Sequence, residues 1–277
     1  MNSAKAFAPA NISCIFKVYE NKNPRWMGSY GIGFTLNEGV VVSASKAKRN
    51  EVVFNSKSIN FPTVMSVMKK LANEKVRVYI ETKLPLGCGF GLSGASALAA
   101  AYGLNKLLDL KKSNKELAVI AHIAEVENKT GLGDVVNQYY GGFCLKLKPS
   151  SHFEVKKLHI NNADVYCRYF GKIPTKTIIT NKRLKKRINN AASVALSKIK
   201  NLLKVNDIKF GNIIKASKEF AADSGLLRDR QTAETIKKIE KSKGNASMIM
   251  LGNAVFSDKP FKGALKFKIA DKGACLI

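Results

Sequence analysis

The sequence predicts an α+β fold in two units, and three observations carry that expectation. Strand-like segments crowd the first eighty residues, a glycine-rich loop then feeds an apolar helix, and from about Thr175 the pattern turns to long amphipathic helices followed by strands. The units are expected over 1–170 and 171–277, and 277 residues provide ample apolar material for their cores.

Taken in order, Asn11–Val18, Gly31–Leu36, Val40–Ala44 and Val76–Glu81 are β-branched, aromatic and alternating, with Gly, Asn and Pro between them. Pro62, at a first-turn position, opens a helix over Thr63–Ala72 whose Val64, Met65, Met68 and Leu71 share a face. Leu84 to Asn105 is a run of 22 residues without a charge, close to the length of a membrane span. Its first half holds Pro85, Gly87, Gly89, Gly91 and Gly94, so only Ala95 to Leu108 is helical by propensity, and a loop feeding a buried helix is expected. Ser113 and Glu116 have the spacing of a capping box, which opens a second helix running to about Glu127. Gly131, Gly133, Gly141 and Gly142 bracket a short polar segment before a strand at Phe143–Leu147. Beyond it come a strand at Lys176–Thr180 and an amphipathic helix over Lys182–Lys204, with Leu184, Ile188, Ala191, Ala195, Ile199 and Leu202 at helical spacing. Two further helices precede strands near Met248 and Val255.

The 47 Lys and Arg against 20 Asp and Glu leave a net charge of +27, which attracts anions without saying which. The run Lys182, Arg183, Lys185, Lys186, Arg187 lies on the polar face of its helix and lacks interleaved aromatics, so a solvated face is expected rather than a nucleic-acid site. Five cysteines, odd in number and widely spaced, have neither a paired motif nor histidines at metal-ligand spacing, and imply a reducing cytoplasm. Pro9 and Asn11 interrupt the apolar run that a secretory signal needs.

Two segments carry chemistry. In Pro85-Leu-Gly-Cys-Gly-Phe-Gly-Leu-Ser-Gly-Ala95, small residues allow backbone amides to touch an anion, a helix begins at once, and Ser93 offers a hydroxyl for phosphate or metal. The same residues would also suit a tight turn packing a helix on a sheet. No Gly-Lys-Ser/Thr follows, and the dinucleotide fingerprint does not fit. In the second segment Glu125 ends a helix and Asp134, nine residues on, sits in a glycine turn; the two could converge on a metal ion and a substrate hydroxyl, or serve as a surface carboxylate and a cap. Glu125 and Glu127 project about 200° apart on the helix, so one of them faces any site.

A proline-led glycine loop with a serine, an acid at a helix end, then Gly131-Leu-Gly-Asp134 and Gly141-Gly142 together resemble the GHMP kinase superfamily. Within it, the archaeal-type pantoate kinases are similar through Ala6-Phe-Ala-Pro9, Gly28-Ser-Tyr-Gly-Ile-Gly33, the Gly89–Ala95 loop, Gly131-Leu-Gly-Asp-Val135 and Ser247-Met-Ile-Met-Leu-Gly-Asn253, segments that span nearly the whole chain. The resemblance implies an ATP cleft between an N-terminal domain like a ribosomal-protein fold and a ferredoxin-like C-terminal domain. It implies that Pro85, Gly87, Gly89, Phe90, Gly91, Leu92, Ser93, Gly94 and Ala95 wrap ATP, and that Ser93 and Glu125 hold Mg2+. Asp134 would act on the attacking hydroxyl, and Gly252 would lie in a late loop at the cleft. The substrate side would include Asn11, Tyr30, Gly31 and Gly133. Ala10-Asn11 stands where the family has Gly-His, and Tyr30 where it has arginine, leaving Arg25, Arg168 and Lys172 as candidates for the substrate's carboxylate.

The implied activity is phosphorylation of the primary hydroxyl of pantoate to 4-phosphopantoate for coenzyme A synthesis, with ATP and pantoate as partners, no nucleic acid and no membrane. A homodimer is compatible with this. The alternatives are a kinase of the same superfamily acting on mevalonate or homoserine, and a non-catalytic basic RNA-binding protein.

Overall fold

The computed structural model describes residues 3–160 and 163–277. Its first two strands, β1 Ser3–Tyr19 and β2 Gly28–Lys46, form a long antiparallel ribbon in which the expected Gly31–Leu36 and Val40–Ala44 strands run as one. The register shifts between Pro9 and Asn11 and again between Ser13 and Ile15. Such bulges bend a ribbon and re-aim its side chains. The two halves of β2 consequently take different neighbours.

β3 Glu51–Phe54 and β4 Lys57–Ser58 precede α1 Pro62–Leu71, which has Pro62 in its first turn and buries Val64, Val67, Met68 and Leu71. β5 Val76–Glu81 pairs with Val41–Lys46 of β2 and, in parallel, with β3. α2 Leu92–Leu107 is buried on nearly all sides, as a run of alanines permits, and packs on β1, β2 and α1. Ser113 accepts from the Glu116 amide and Glu116 reaches back, so the capping box opens α3 Asn114–Asn128 as expected. The segment expected to be a polar turn contains a short helix, α4 Asp134–Tyr140, started at Gly133 and stopped at Gly141. β6 Phe143–Lys146 then pairs with Gly31–Phe34, and β7 Lys156–Leu158 joins β6.

β8 Asp164–Lys172 begins a second sheet, so the boundary between sheets falls between Leu158 and Asp164, upstream of residue 170. The expected strand at Lys176–Thr180 is instead a helix, α5 Thr175–Ile179. Its β-branched residues suggested extension, but Thr177 and Thr180 donate their hydroxyls back to the carbonyls of Pro174 and Lys176, both at 2.7 Å, and hold a turn closed. α6 Lys182–Lys204, α7 Phe210–Asp223 and α8 Arg230–Lys241 precede β9 Ala246–Met248, β10 Gly252–Ser257 and β11 Leu265–Lys268. The sheet order β11-β8-β10-β9 is antiparallel throughout and has the strand order of a ferredoxin-like sheet, but all four helices of this part lie between β8 and β9 and the second crossover helix of that fold is replaced by a turn between β10 and β11. β12 Cys275–Leu276 returns to the edge of β1. Phe210 and Phe256 pack edge to face on Phe34, Phe143 stacks tilted against it, and the four rings lie between the two sheets and join them into one core.

Among the described residues no helix is long and apolar enough to cross a membrane. Lys182, Arg183, Lys186 and Arg187 of α6 are exposed, Lys185 is largely covered and paired with Glu20, and Leu184 and Ile188 turn inward.

Candidate active site

The bend in β1 lies against the glycine loop. The Asn11 amide donates to the Phe90 carbonyl at 2.9 Å, and Phe90, 2% exposed, anchors the loop in the core. Gly87, Gly89 and Gly91 all have φ between +62° and +88°, a conformation that side-chain-bearing residues rarely adopt. A Cβ on Gly89 would also stand 2.8 Å from Ile249 Cγ2, because the turn between β9 and β10 is pressed onto the loop. Gly91 starts α2 without a side-chain cap, so the amides of Leu92, Ser93 and Gly94 are left to an outside acceptor. An anion fits there.

A cavity of about 460 Å³ opens in front of these amides. Leu86, Leu92, Phe61, Ile173, Pro174 and Ile179 make part of its wall apolar, while Ser13, Ser29, Ser93, Thr63, Thr130, Gly133 and Asp134 line its polar part. Of the expected site residues, the structure brings Gly87, Gly89, Phe90, Gly91, Leu92, Ser93, Gly133 and Asp134 to this lining. Pro85 leads into the loop, and Gly94 and Ala95 lie in the first turn of α2 behind it. Glu125 is 1% exposed beneath the cavity, whereas Glu127 is on the outside, paired with Lys70.

Two networks organise the acids. Asp134 Oδ1 accepts from Asn11 Nδ2 at 2.6 Å and from Ser13 Oγ at 3.3 Å. Asn137 Nδ2 donates to Asn11 Oδ1 at 2.8 Å, and Lys146 Nζ donates to Asn137 Oδ1 at 3.0 Å and to the Gly133 carbonyl at 3.3 Å. Burial raises the Asp134 pKa, opposed first by the Lys146 charge and then by the bonds from Asn11 and Ser13. Burial also pulls the Lys146 pKa down, and Asp134 opposes that. In the second network, Ser93 Oγ donates to Thr63 Oγ1 at 3.1 Å, Thr63 and Thr130 share a hydroxyl bond of 3.0 Å, and Thr130 Oγ1 donates to Glu125 Oε1 at 3.3 Å. Burial, then the nearby Asp134 charge, pushes the Glu125 pKa well up, while the Thr130 and Ser93 hydroxyls pull against it.

The surroundings of Glu125 fit a cation. Its Oε2 is buried without a partner, and a Cβ at Gly94 would stand 2.8 Å from that oxygen, so the glycine keeps the space open. No cluster of three or more acids, histidines and cysteines occurs among the described residues. One carboxylate and one hydroxyl suit Mg2+, which draws its remaining oxygens from phosphates and water.

Asn11 is turned inward to Asp134 and Asn137. Tyr30 lines a different groove, with Lys17, Leu147 and Ser193, and meets Tyr19 edge-on, because neighbouring residues of a strand face opposite sides and Ser29 takes the cavity side. Gly31 is packed against the Ile15 carbonyl of β1. Gly252 presses on the Cys88 carbonyl, and Met250 and Leu251 beside it line the cavity. None of Arg25, Arg168 and Lys172 is in the lining: Arg25 stacks on Trp26, Arg168 donates to the Lys262 carbonyl, and Lys172 lies along Gly87.

The residues missed from sequence are Lys146, Asn137, Thr63 and Thr130. Lys146 had a signal, since a lysine within the otherwise apolar Phe143–Leu147 is a charge with nowhere to go but a partner.

Glycine-held amides, a hydroxyl, one cation-ready carboxylate and one pinned carboxylate define a small-molecule phosphotransferase site. The family model of the GHMP kinases N terminal domain matches residues 61–142. A pantoate kinase of Methanocaldococcus jannaschii is 36% identical over 90% of both chains, and one of Methanospirillum hungatei is 30% identical over 91% of this chain and 86% of its own. A solved structure described as a phosphotransferase related to the CoA biosynthesis pathway superposes with a TM-score of 0.85 at 26% identity, covering 99% of this chain and 98% of that one. The chain belongs to the GHMP kinase family, a family that uses ATP.

Proposed function

We propose that this kinase transfers the γ-phosphoryl group of ATP to the primary hydroxyl of pantoate, giving 4-phosphopantoate for coenzyme A synthesis. The full-length similarity to archaeal pantoate kinases supports the acceptor, and one observation supports the chemistry: Asp134 is held by Asn11 and Ser13 at the end of the phosphate loop with the buried Lys146 behind it.

The amides of Leu92, Ser93 and Gly94 take the phosphate oxygens of the nucleotide. Ser93 Oγ and Glu125 are the residues that would hold Mg2+, which when bound neutralises charge on the phosphates. Asp134 accepts the proton of the attacking hydroxyl. Two bonds fix its Oδ1, so Oδ2 is the oxygen that meets the hydroxyl. Burial makes Asp134 more basic than an exposed carboxylate, and the Lys146 charge opposes that rise. Lys146 also braces the acceptor side, because it donates to the Gly133 carbonyl, and Gly133 lines the cavity.

The test is ADP release from Mg-ATP with pantoate, pantothenate, mevalonate and homoserine, run beside Asp134→Asn. Pantoate-dependent turnover that falls at least about 1000-fold in a folded variant is expected. Turnover with another acceptor of the panel would reject pantoate, and full activity in the variant would reject Asp134 as the base.

A further inference from the structure

The segment from Pro149 to Phe153 makes no hydrogen bond to either acid, yet it joins two elements that line the cavity beside Asp134. A 3-10 turn, Ser150–His152, places Ser150 in full burial. Its hydroxyl donates to the Leu132 carbonyl and accepts from the Ser29 amide at 2.9 Å. Ser29 is on β2 and lines one wall of the cavity, and Leu132 and Gly133 line the other, immediately before Asp134. The single hydroxyl therefore clamps these two elements together where Ser29 packs against Gly133.

The surroundings commit space and strain to that bond. Gly28 is in a register where any side chain would collide with Ser150 Oγ, and Gly133 likewise leaves room for Ser29 Oγ. Phe153 closes the turn at φ +52°, an unfavourable conformation for a bulky side chain, with its ring buried against His122 and Tyr139. Its carbonyl accepts from Tyr140 Oη at 2.5 Å, so the end of α4 is tied to the same segment. Ser151 makes a comparable bond of 3.0 Å to the Trp26 carbonyl, which is outside the cavity lining.

We infer that Ser150 is a positioning residue for the acceptor, acting through Ser29 and Gly133, and that the Pro149–Phe153 segment is the buckle that holds these two lining residues in register at the acceptor side of the cavity. This rests on the kinase reading of the cleft given above. The nucleotide contacts of the glycine loop are made by other elements, so the effect is confined to the acceptor.

The experiment measures steady-state kinetics of the full chain with Ser150→Ala, Gly28→Ala and Ser151→Ala, using whichever acceptor of the four-compound panel the unaltered chain turns over. Ser150→Ala is expected to raise the acceptor KM about tenfold, as loss of a buried hydroxyl bond allows, with the ATP KM unchanged within twofold. Gly28→Ala, which keeps the Ser150 hydroxyl but crowds it and the amides of Ser150 and Ser151, is expected to give the same split and covers the case in which Ser150→Ala does not fold. Ser151→Ala is expected to leave both KM values unchanged. A lowered Tm with both KM values unmoved in Ser150→Ala and Gly28→Ala, or equal rises in both KM values, overturns the inference. An acceptor other than pantoate overturns only the choice of substrate, and silence with all four overturns both readings.

Discussion

His122 provides a buried titration whose effect can be worked through. It lies on α3, 1% exposed, with Nε2 2.9 Å from the Met27 carbonyl, so Nε2 carries the proton and donates. Nδ1 is buried without a partner, and the Phe153 ring stands edge-on 6.0 Å away. A second proton would have to sit on Nδ1 in an apolar wall. Burial lowers the pKa from 6.5 to about 4, the Met27 bond opposing and the Lys146 charge assisting. Between those two values the unfolded chain binds a proton that the folded chain refuses, so stability is full above pH 6.5 and falls as pH drops toward 4. At about 1.4 kcal/mol per tenfold in proton affinity, this group removes about 3 kcal/mol of stability between pH 7 and pH 4. Glu125 and Asp134 act in the opposite sense, since their raised pKa values let the folded chain bind protons first and gain stability as pH falls. The difference between the unaltered chain and His122→Gln isolates the histidine, because glutamine can donate to Met27 but does not titrate. Urea unfolding at pH 7, 6, 5 and 4 should show the unaltered chain losing about 3 kcal/mol more than the variant. Parallel stability curves would refute the argument that His122 is held neutral.

Lys146→Met removes the cation that opposes burial at Asp134 and leaves Asn137 Oδ1 and the Gly133 carbonyl without their donor. Turnover is expected to fall about 100-fold and the acid limb of the pH–rate profile to move to higher pH; an unmoved limb would separate Lys146 from Asp134. Leu251 turns the corner between β9 and β10 at φ +65°. There glycine avoids the left-handed penalty and alanine does not, so Leu251→Gly should be more stable than Leu251→Ala by about 1 kcal/mol in calorimetry, reversing the usual order of these residues. Equal stability would mean that the turn relaxes when the leucine is cut back.

Part of the candidate site was legible in the chain. The glycine loop, Ser93, Glu125 and Asp134 stood out by residue type and spacing, while the roles expected of them came from the resemblance to the GHMP kinases. The capping box at Ser113 and the buried stripe of α6 were readable for the same reason, since helix spacing relates residues three and four apart. The strand expected at Lys176–Thr180 failed where local threonine bonds overruled β-propensity. β8 carried a readable alternation in Val165 and Cys167, both buried, against half-exposed Tyr166 and Arg168.

The partners of the acids were not legible. Asn11 and Asp134 are 123 residues apart, Asn11 and Asn137 are 126, and Ser29 and Ser150 are 121, and no spacing rule relates positions so distant. Tyr30 and Ser29 could be assigned to a face only after the register of β1 on β2 was known. Residue order carried the local elements and the chemical identity of the reactive groups, because helix and strand periods and glycine's freedom at positive φ are properties of short segments. Tertiary structure decided which carboxylate is pinned and which has an oxygen without a partner, and which lysine stands behind Asp134. The bulges in β1 and the closing of the sheet bring those side chains together, and burial then acts on their charges.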